Sequence, residues 1–163
     1  MSKQDELKEK LKSYMRMFPQ GVTVVTTMLN GIPGGITVSA FTSISLNPPL
    51  IMISISKDSA FHDVLMKTKI FAVNLLGKDH KEISERFAGK YGENKFGNVK
   101  YKIGKLGVPL LEDALATLEC NIWNTYDGGD HTIIVGEVTE INFNKQDLPL
   151  IYYNRKYTTL VNE

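Results

Sequence analysis

Residues 37–47 carry five small hydroxyl side chains: Thr37, Ser39, Thr42, Ser43 and Ser45. Small side chains let a ligand come down onto the backbone, whose N–H and C=O groups then recognise it. The plainer alternative is a polar-faced strand and its loop. A second stretch, Ser54-Ile55-Ser56-Lys57-Asp58-Ser59, runs from a strand end into a helix start. Free N–H groups, hydroxyls and Lys57 could hold a phosphate there. Asp58 or Ser59 acting as an ordinary helix cap explains the same residues. Gly128-Gly129-Asp130-His131 puts a histidine where a turn enters a strand, open to a ligand or incidental to the turn. Arg86-Phe87 ends a helix. With three arginines in the chain, each has some claim to a geometric role, although helix C-termini attract cations in any case. Arg155-Lys156-Tyr157 reads as surface.

The missing motifs narrow the chemistry. No G-x-G-x-x-G, P-loop, H-E-x-x-H, C-x-x-C or G-x-S-x-G occurs. His62, His80 and His131 with the single Cys120 make a poor metal set, and no metal site is expected.

The elements that must position these residues are mostly strands. A helix opens the chain, with Leu7, Leu11, Tyr14/Met15 and Phe18 at helical spacing. Ser2 and Asp5 cap it, and Pro19 and Gly21 close it. Residues 22–28 are β-branched in all but Met28 and form a strand. Asn30-Gly31 and Pro33-Gly34-Gly35 read as turns, and residues 36–41 as the returning strand. Further strands are expected at 50–56, 70–75, 116–123, 132–143 and 150–153, with Gly128-Gly129 turning between 116–123 and 132–143. Helices are expected at 58–67 and 78–89, the second capped by Gly89. Residues 92–109 read as loop with short strand pieces. Early strands follow one another without helices between them, which favours a closed barrel with a few flanking helices over a βαβ sheet.

Composition sets the outer limits. The chain has 163 residues, 42% hydrophobic and 23% charged, the profile of one globular domain spanning 1–163. Lys+Arg number 19 against 18 Asp+Glu, a net charge of +1, so bulk electrostatics point to neither nucleic acid nor membrane. One cysteine excludes an internal disulfide framework. A charged start with no apolar stretch behind it makes a cytoplasmic protein the default.

Taken in order, these pieces resemble the short-chain flavin reductase family, from about Tyr14 to Leu160. Gly21-Val22-Thr23-Val24-Val25-Thr26 is similar to its opening strand. Residues 35–50, from Gly35-Ile36-Thr37-Val38-Ser39-Ala40-Phe41 to Asn47-Pro48-Pro49-Leu50, resemble its most diagnostic segment. Phe71-Ala72-Val73-Asn74-Leu75-Leu76, Arg86-Phe87-Ala88, Leu118-Glu119-Cys120, Gly129-Asp130-His131 and Gly136-Glu137-Val138 follow in family order. Pro149-Leu150-Ile151-Tyr152-Tyr153 with Arg155 and Tyr157 resembles its C-terminal signature.

The resemblance implies a mainly β fold, a split β-barrel that binds flavin. It implies hydride transfer from NADH or NADPH to FMN or FAD, and reduced flavin supplied to a separate monooxygenase component. By the same resemblance, Thr37, Val38, Ser39, Ala40 and Phe41 line the isoalloxazine ring, with Ser45 and Asn47 supporting that loop. Asn47 stands where the family is commonly acidic and keeps a hydrogen-bonding side chain. Ser54, Ile55, Ser56 and Ser59 hold the ribityl and phosphate groups. Arg86 and Phe87 reach the phosphate or ring side. His131 sits on the nicotinamide side as the catalytic residue, a positioner. Tyr152 and Arg155 lie near the ring or its tail. A homodimer is implied as well. The competing expectations are a flavin carrier or store without NAD(P)H turnover, a split-barrel oxidase, and a non-catalytic interaction module.

Overall fold

The first helix, α1 (Lys3–Arg16), has the expected start: the Ser2 side chain accepts from the Asp5 N–H, and Asp5 reciprocates. It ends at Met17, before Phe18. None of its residues is buried, and Leu7, Leu11 and Tyr14 are exposed along one face. The computed structural model describes residues 1–90 and 94–161. Part of the loop expected from Gly92 therefore lies outside the described residues.

The strands are β1 (Gln20–Gly21), β2 (Thr23–Leu29), β3 (Ile32–Val38), β4 (Phe41–Leu46), β5 (Pro49–Ser56), β6 (Ile70–Leu75), β7 (Tyr101–Ile103), β8 (Pro109–Leu111), β9 (Ala116–Gly128), β10 (His131–Phe143), β11 (Ile151–Tyr153) and β12 (Lys156–Thr158). Helix α2 (Ala60–Thr68) follows β5. Helix α3 (Lys81–Glu85) follows β6 and runs into a π turn, Arg86–Lys90. Seven strands form one antiparallel sheet in the order β3-β2-β6-β9-β10-β5-β4. Its two outer strands, β3 and β4, are consecutive in the chain, joined by Ser39 and Ala40. The chain passes from one edge of the sheet to the other through this corner. Residues 36–41, expected as one strand, are thus two strands broken at the corner. A small sheet of β1, β11 and β12 stands beside it.

Strand β2 is buried on both faces. Val25 faces the barrel core with Ile53, Phe71, Cys120 and Ile134, closed off by Phe61 and Leu65 of α2. Val24 faces a second core with Val22, Leu76, Phe87, Leu111 and Leu150. The three threonines of β2 are each satisfied: Thr23 Oγ1 donates to Val38 O (2.7 Å), Thr26 Oγ1 to Pro109 O (2.5 Å) and Thr27 Oγ1 to Ile70 O (2.7 Å). A β-branched run with buried, paired hydroxyls suits a central strand.

Pro33-Gly34-Gly35 is not a turn. Asn30 and Gly31, both at positive φ, make the turn, and the two later glycines lie inside β3. A Cβ on Gly35 would stand 2.8 Å from the Phe87 ring, so the glycine admits an aromatic ring against the strand. On the β9–β10 hairpin, Val135 pairs with Asn124 but Gly136 with Ile122, leaving Trp123 as the extra residue of a bulge.

His80 heads α3 and is buried, its Nδ1 accepting the Gly77 N–H at 2.8 Å. Burial first, then the Lys145 charge, pushes its pKa below the ordinary 6.5. The folded chain refuses a proton that the unfolded chain accepts. Stability should therefore be full above about pH 6.5 and fall as pH drops below it towards the lower folded pKa. Urea midpoints at about pH 7.5 and about pH 5.5 check this. The difference should shrink in His80→Gln, and an equal difference in both proteins would contradict the assignment.

Candidate active site

The corner between β3 and β4 is the centre of the site. Ala40 O accepts the Ser54 N–H (3.1 Å) and Ser39 O accepts the Phe41 N–H (2.9 Å). The Ser39 and Ala40 N–H groups donate to no acceptor among the described residues. Backbone donors without a partner are costly unless water or a ligand meets them. Alternation explains the side chains. Val38 is buried while Thr37 and Ser39 face outward. Ile55 is buried while Ser54 and Ser56 share the opposite face of β5.

Register brings the second stretch to the same region. His131 pairs with Ser56, and Ile133 with Ser54. Lys57 fixes this end twice: its N–H donates to Asp130 O (2.9 Å) and its ammonium pairs with Asp127 on the hairpin. Ser59 caps α2, its Oγ accepting the Phe61 N–H at 3.2 Å. The cap and the proposed ligand contact are compatible, because the hydroxyl hydrogen stays free. His62 Nε2 meets Thr132 Oγ1 at 2.7 Å, tying α2 to the residue beside His131.

His131 is half-exposed, with Nδ1 2.7 Å from Asp130 Oδ1. That hydrogen bond holds the Asp130 carboxyl below its usual range. A carboxylate only accepts, so Nδ1 carries the hydrogen and Nε2 is left to face outward.

Clefts run from the corner in both directions. One of about 250 Å³ is lined by Phe18, Gln20, Gly21, Ser39 and Phe41. A second, of about 210 Å³, lies between Thr37, Ser39, Ser84, Ala88, Tyr152 and Tyr157. Thr37 Oγ1 donates to Ser84 O (2.6 Å), and Ser84 Oγ meets Tyr157 OH (2.7 Å). Tyr152 and Tyr157 are 5.2 Å apart at 58°. Lys95 Nζ donates to Gly35 O (3.3 Å) and Phe87 O (3.4 Å), bracing β3 two residues before Thr37. Ser45 and Asn47 sit at the far end of β4, where Asn47 N–H donates to Ser45 Oγ (3.3 Å).

Arg86 and Phe87 are not brought to the corner. Phe87 is fully buried in the second core, edge-on to Phe96 at 5.0 Å. Arg86 turns the other way, donating to Gly97 O (3.0 Å) with Glu82 at 3.6 Å. Helical phase is the reason: Ser84 and Ala88, four apart, share the cleft face, and the residues between them do not. Sequence reasoning missed Ser84 and Tyr157, which carried no motif signal beyond the C-terminal signature.

A seven-stranded sheet whose two outer strands, β3 and β4, meet at one corner is a split β-barrel. A family model described as a flavin reductase like domain matches residues 15–161. The chain belongs to this flavin reductase-like domain family. The reductase component of 4-hydroxyphenylacetate 3-monooxygenase from Thermus thermophilus is 36% identical over 155 residues, covering 95% of this chain and 98% of that one. The Streptomyces globisporus NADH:FAD oxidoreductase, solved with NAD and FAD fragments, has a TM-score of 0.89 and 34% identity, over 94% of this chain and 93% of that chain. The flavin reductase HpaC, solved with NADP+, has a TM-score of 0.87 and 41% identity, over 94% and 97%.

Proposed function

We propose that this chain, as one domain of 163 residues, is an NAD(P)H-dependent flavin reductase. It passes a hydride from nicotinamide to FMN or FAD and delivers the reduced flavin to a separate oxygenase component. The observation that supports the proposal is the pair of N–H groups at Ser39 and Ala40 without an acceptor among the described residues, at a corner where Ser39 lines an open cleft. Such donors suit the carbonyl oxygens and ring nitrogens of an isoalloxazine. When bound, flavin supplies the hydride acceptor and the nicotinamide the donor.

The protein's own part is placement and charge stabilisation. Thr37, Ser39 and Phe41 would form the floor for the ring, and the two N–H groups would stabilise negative charge on the reduced flavin. Ser54, Ser56 and Ser59 supply hydroxyls, and Lys57 a cation, for the ribityl and phosphate groups. His131, with Nε2 left for a ligand, would position the nicotinamide nucleotide against the flavin. No side-chain nucleophile is needed.

The test is oxidation of NADH and NADPH by the purified chain with added FMN, FAD or riboflavin. Flavin-dependent oxidation is expected with at least one pair. A protein that binds flavin without oxidising either nucleotide would be a flavin carrier, and the proposal would fail.

The working unit is a homodimer. Support comes from α1, an amphipathic helix with Leu7, Leu11, Tyr14 and Met17 all exposed. Contiguous apolar surface of this kind marks an interface. Sedimentation should give a dimer at micromolar concentration, and Leu7→Glu with Leu11→Glu should shift it to monomer. A wild-type monomer would refute this part. Among the described residues no helix is long and apolar enough to cross a membrane. A cytoplasmic setting, where a lone thiol stays reduced, completes the proposal.

A further inference from the structure

We propose that His62 is a positioning residue for the reaction: through Thr132 it fixes the strand that carries His131 to the helix that helps seat the flavin. The inference rests on the reductase reading for the role of His131. It begins from how little else holds the end of the β9–β10 hairpin. Strand β9 pairs with β6 only as far as Asn121, opposite Ile70. From Ile122 to Gly128 its strand partner among the described residues is β10. Trp123 to Gly128 are all exposed. On its other side β10 meets β5, and His131 with Ser56 is the last pair of that ladder. A terminal pair frays unless something ties it down.

Among the described residues, two side chains from outside the hairpin bond to its end. Lys57 pairs with Asp127, an ion pair open to solvent and screened by salt. His62 is better placed. Its side chain is 14% exposed, and Nε2 lies 2.7 Å from Thr132 Oγ1. Nδ1 lies 3.3 Å from Asp63 Oδ1, and a carboxylate only accepts. With the hydrogen of the neutral ring on Nδ1, Nε2 accepts from the Thr132 hydroxyl. That hydroxyl has no other partner among the described residues.

Alternation puts Thr132 and His131 on opposite faces of β10. Thr132 pairs with the buried Ile55, and His131 with Ser56. His62 therefore meets β10 on the face away from the ligand and acts through Thr132. The start of α2 links it to the flavin end as well. Ser56 O accepts the Ser59 N–H, and Ser59 O accepts the His62 N–H, each at 3.1 Å. One turn of chain thus carries both the Ser59 hydroxyl proposed for the flavin and the ring that holds Thr132. A nicotinamide positioner has to be fixed in the flavin's own frame, because a misplacement of about 1 Å is enough to slow the transfer a hundredfold. His62 makes that connection by a short, largely buried path.

Hydrogen exchange and kinetics on the full chain test the inference. In His62→Phe the protected amides of residues 131–134 should exchange about tenfold faster than in wild type, while those of β6 stay unchanged. Thr132→Val removes the other end of the bond and should do the same. His62→Phe should also lower kcat/KM for NAD(P)H about tenfold. His62→Gln should restore most of it, because its amide oxygen can accept the same hydroxyl. In a His131→Ala background the His62→Phe change should cost less than about twofold, since the group it positions is gone. Unchanged exchange in both variants overturns the inference. So does exchange that rises equally in β6, or a kinetic loss that persists undiminished in His131→Ala. A chain that reduces no flavin even as wild type fails the reductase reading instead, and the exchange experiment still decides whether His62 holds the strand.

Discussion

His131→Ala is expected to lower kcat/KM for NAD(P)H by about a hundredfold, the scale of loss when a reacting ring is no longer held in place. Flavin affinity should change by less than about threefold, since that pocket rests on the corner backbone and the β5 hydroxyls. The structural basis is the fixed ring. Asp130 locks Nδ1, Lys57 locks the hairpin that carries both residues, and His62 holds Thr132 beside them. Only Nε2 is left to meet a ligand. His131→Asn should recover part of the loss, because its amide can still donate to or accept from a carboxamide. Stopped-flow reduction with saturating flavin separates the effect on nucleotide binding from that on hydride transfer. Wild-type rates in His131→Ala would remove the residue from the mechanism.

Asn74→Ala should cost about 3 kcal/mol of folding stability. Asn74 is fully buried at the crossing of three strands. Its Nδ2 donates to Val24 O (2.9 Å) and Thr26 Oγ1 (3.1 Å), and its Oδ1 accepts the Leu111 N–H (2.8 Å). One side chain thus joins β2, β6 and β8. Alanine would leave a buried N–H and a buried carbonyl short of partners and open a small cavity besides. Urea unfolding at unchanged slope measures the loss. A change below about 1 kcal/mol would mean that water takes over the bonds.

Much of this molecule could be read from its residues, and the failures have physical causes. Strand β6 has the bounds expected from its apolar run, 70–75. The Ser2 capping pair and the Ser59 cap are where side-chain chemistry put them. Local rules suffice in these places. They fail where a residue answers to something distant in sequence. Gly34 and Gly35 look like a turn, but a Cβ on Gly34 would stand 3.6 Å from the Phe61 ring and one on Gly35 would meet the Phe87 ring. Strand β12 was missed because its turn carries Arg155 in the glycine position. The 36–41 segment looked continuous because a barrel corner between two edge strands has no composition of its own. Arg86 and Phe87 were read as a pair, yet helical phase sends one to Gly97 and the other into the core. Cys120 lies in strand β9, within the strand expected over 116–123. It is buried, and burial, with Glu119 adding to it, pushes its thiol up to about 12.

The bulge at Trp123 has an optical consequence. The chain has one tryptophan, and it stands half-exposed on the strand paired with the one that begins at His131. Its emission therefore reports from a single known place. Flavins absorb where indole emits, so a flavin seated at the corner would quench that light by energy transfer. Titrating flavin against the fluorescence of the unlabelled protein would then return a dissociation constant, free of the averaging that several tryptophans impose.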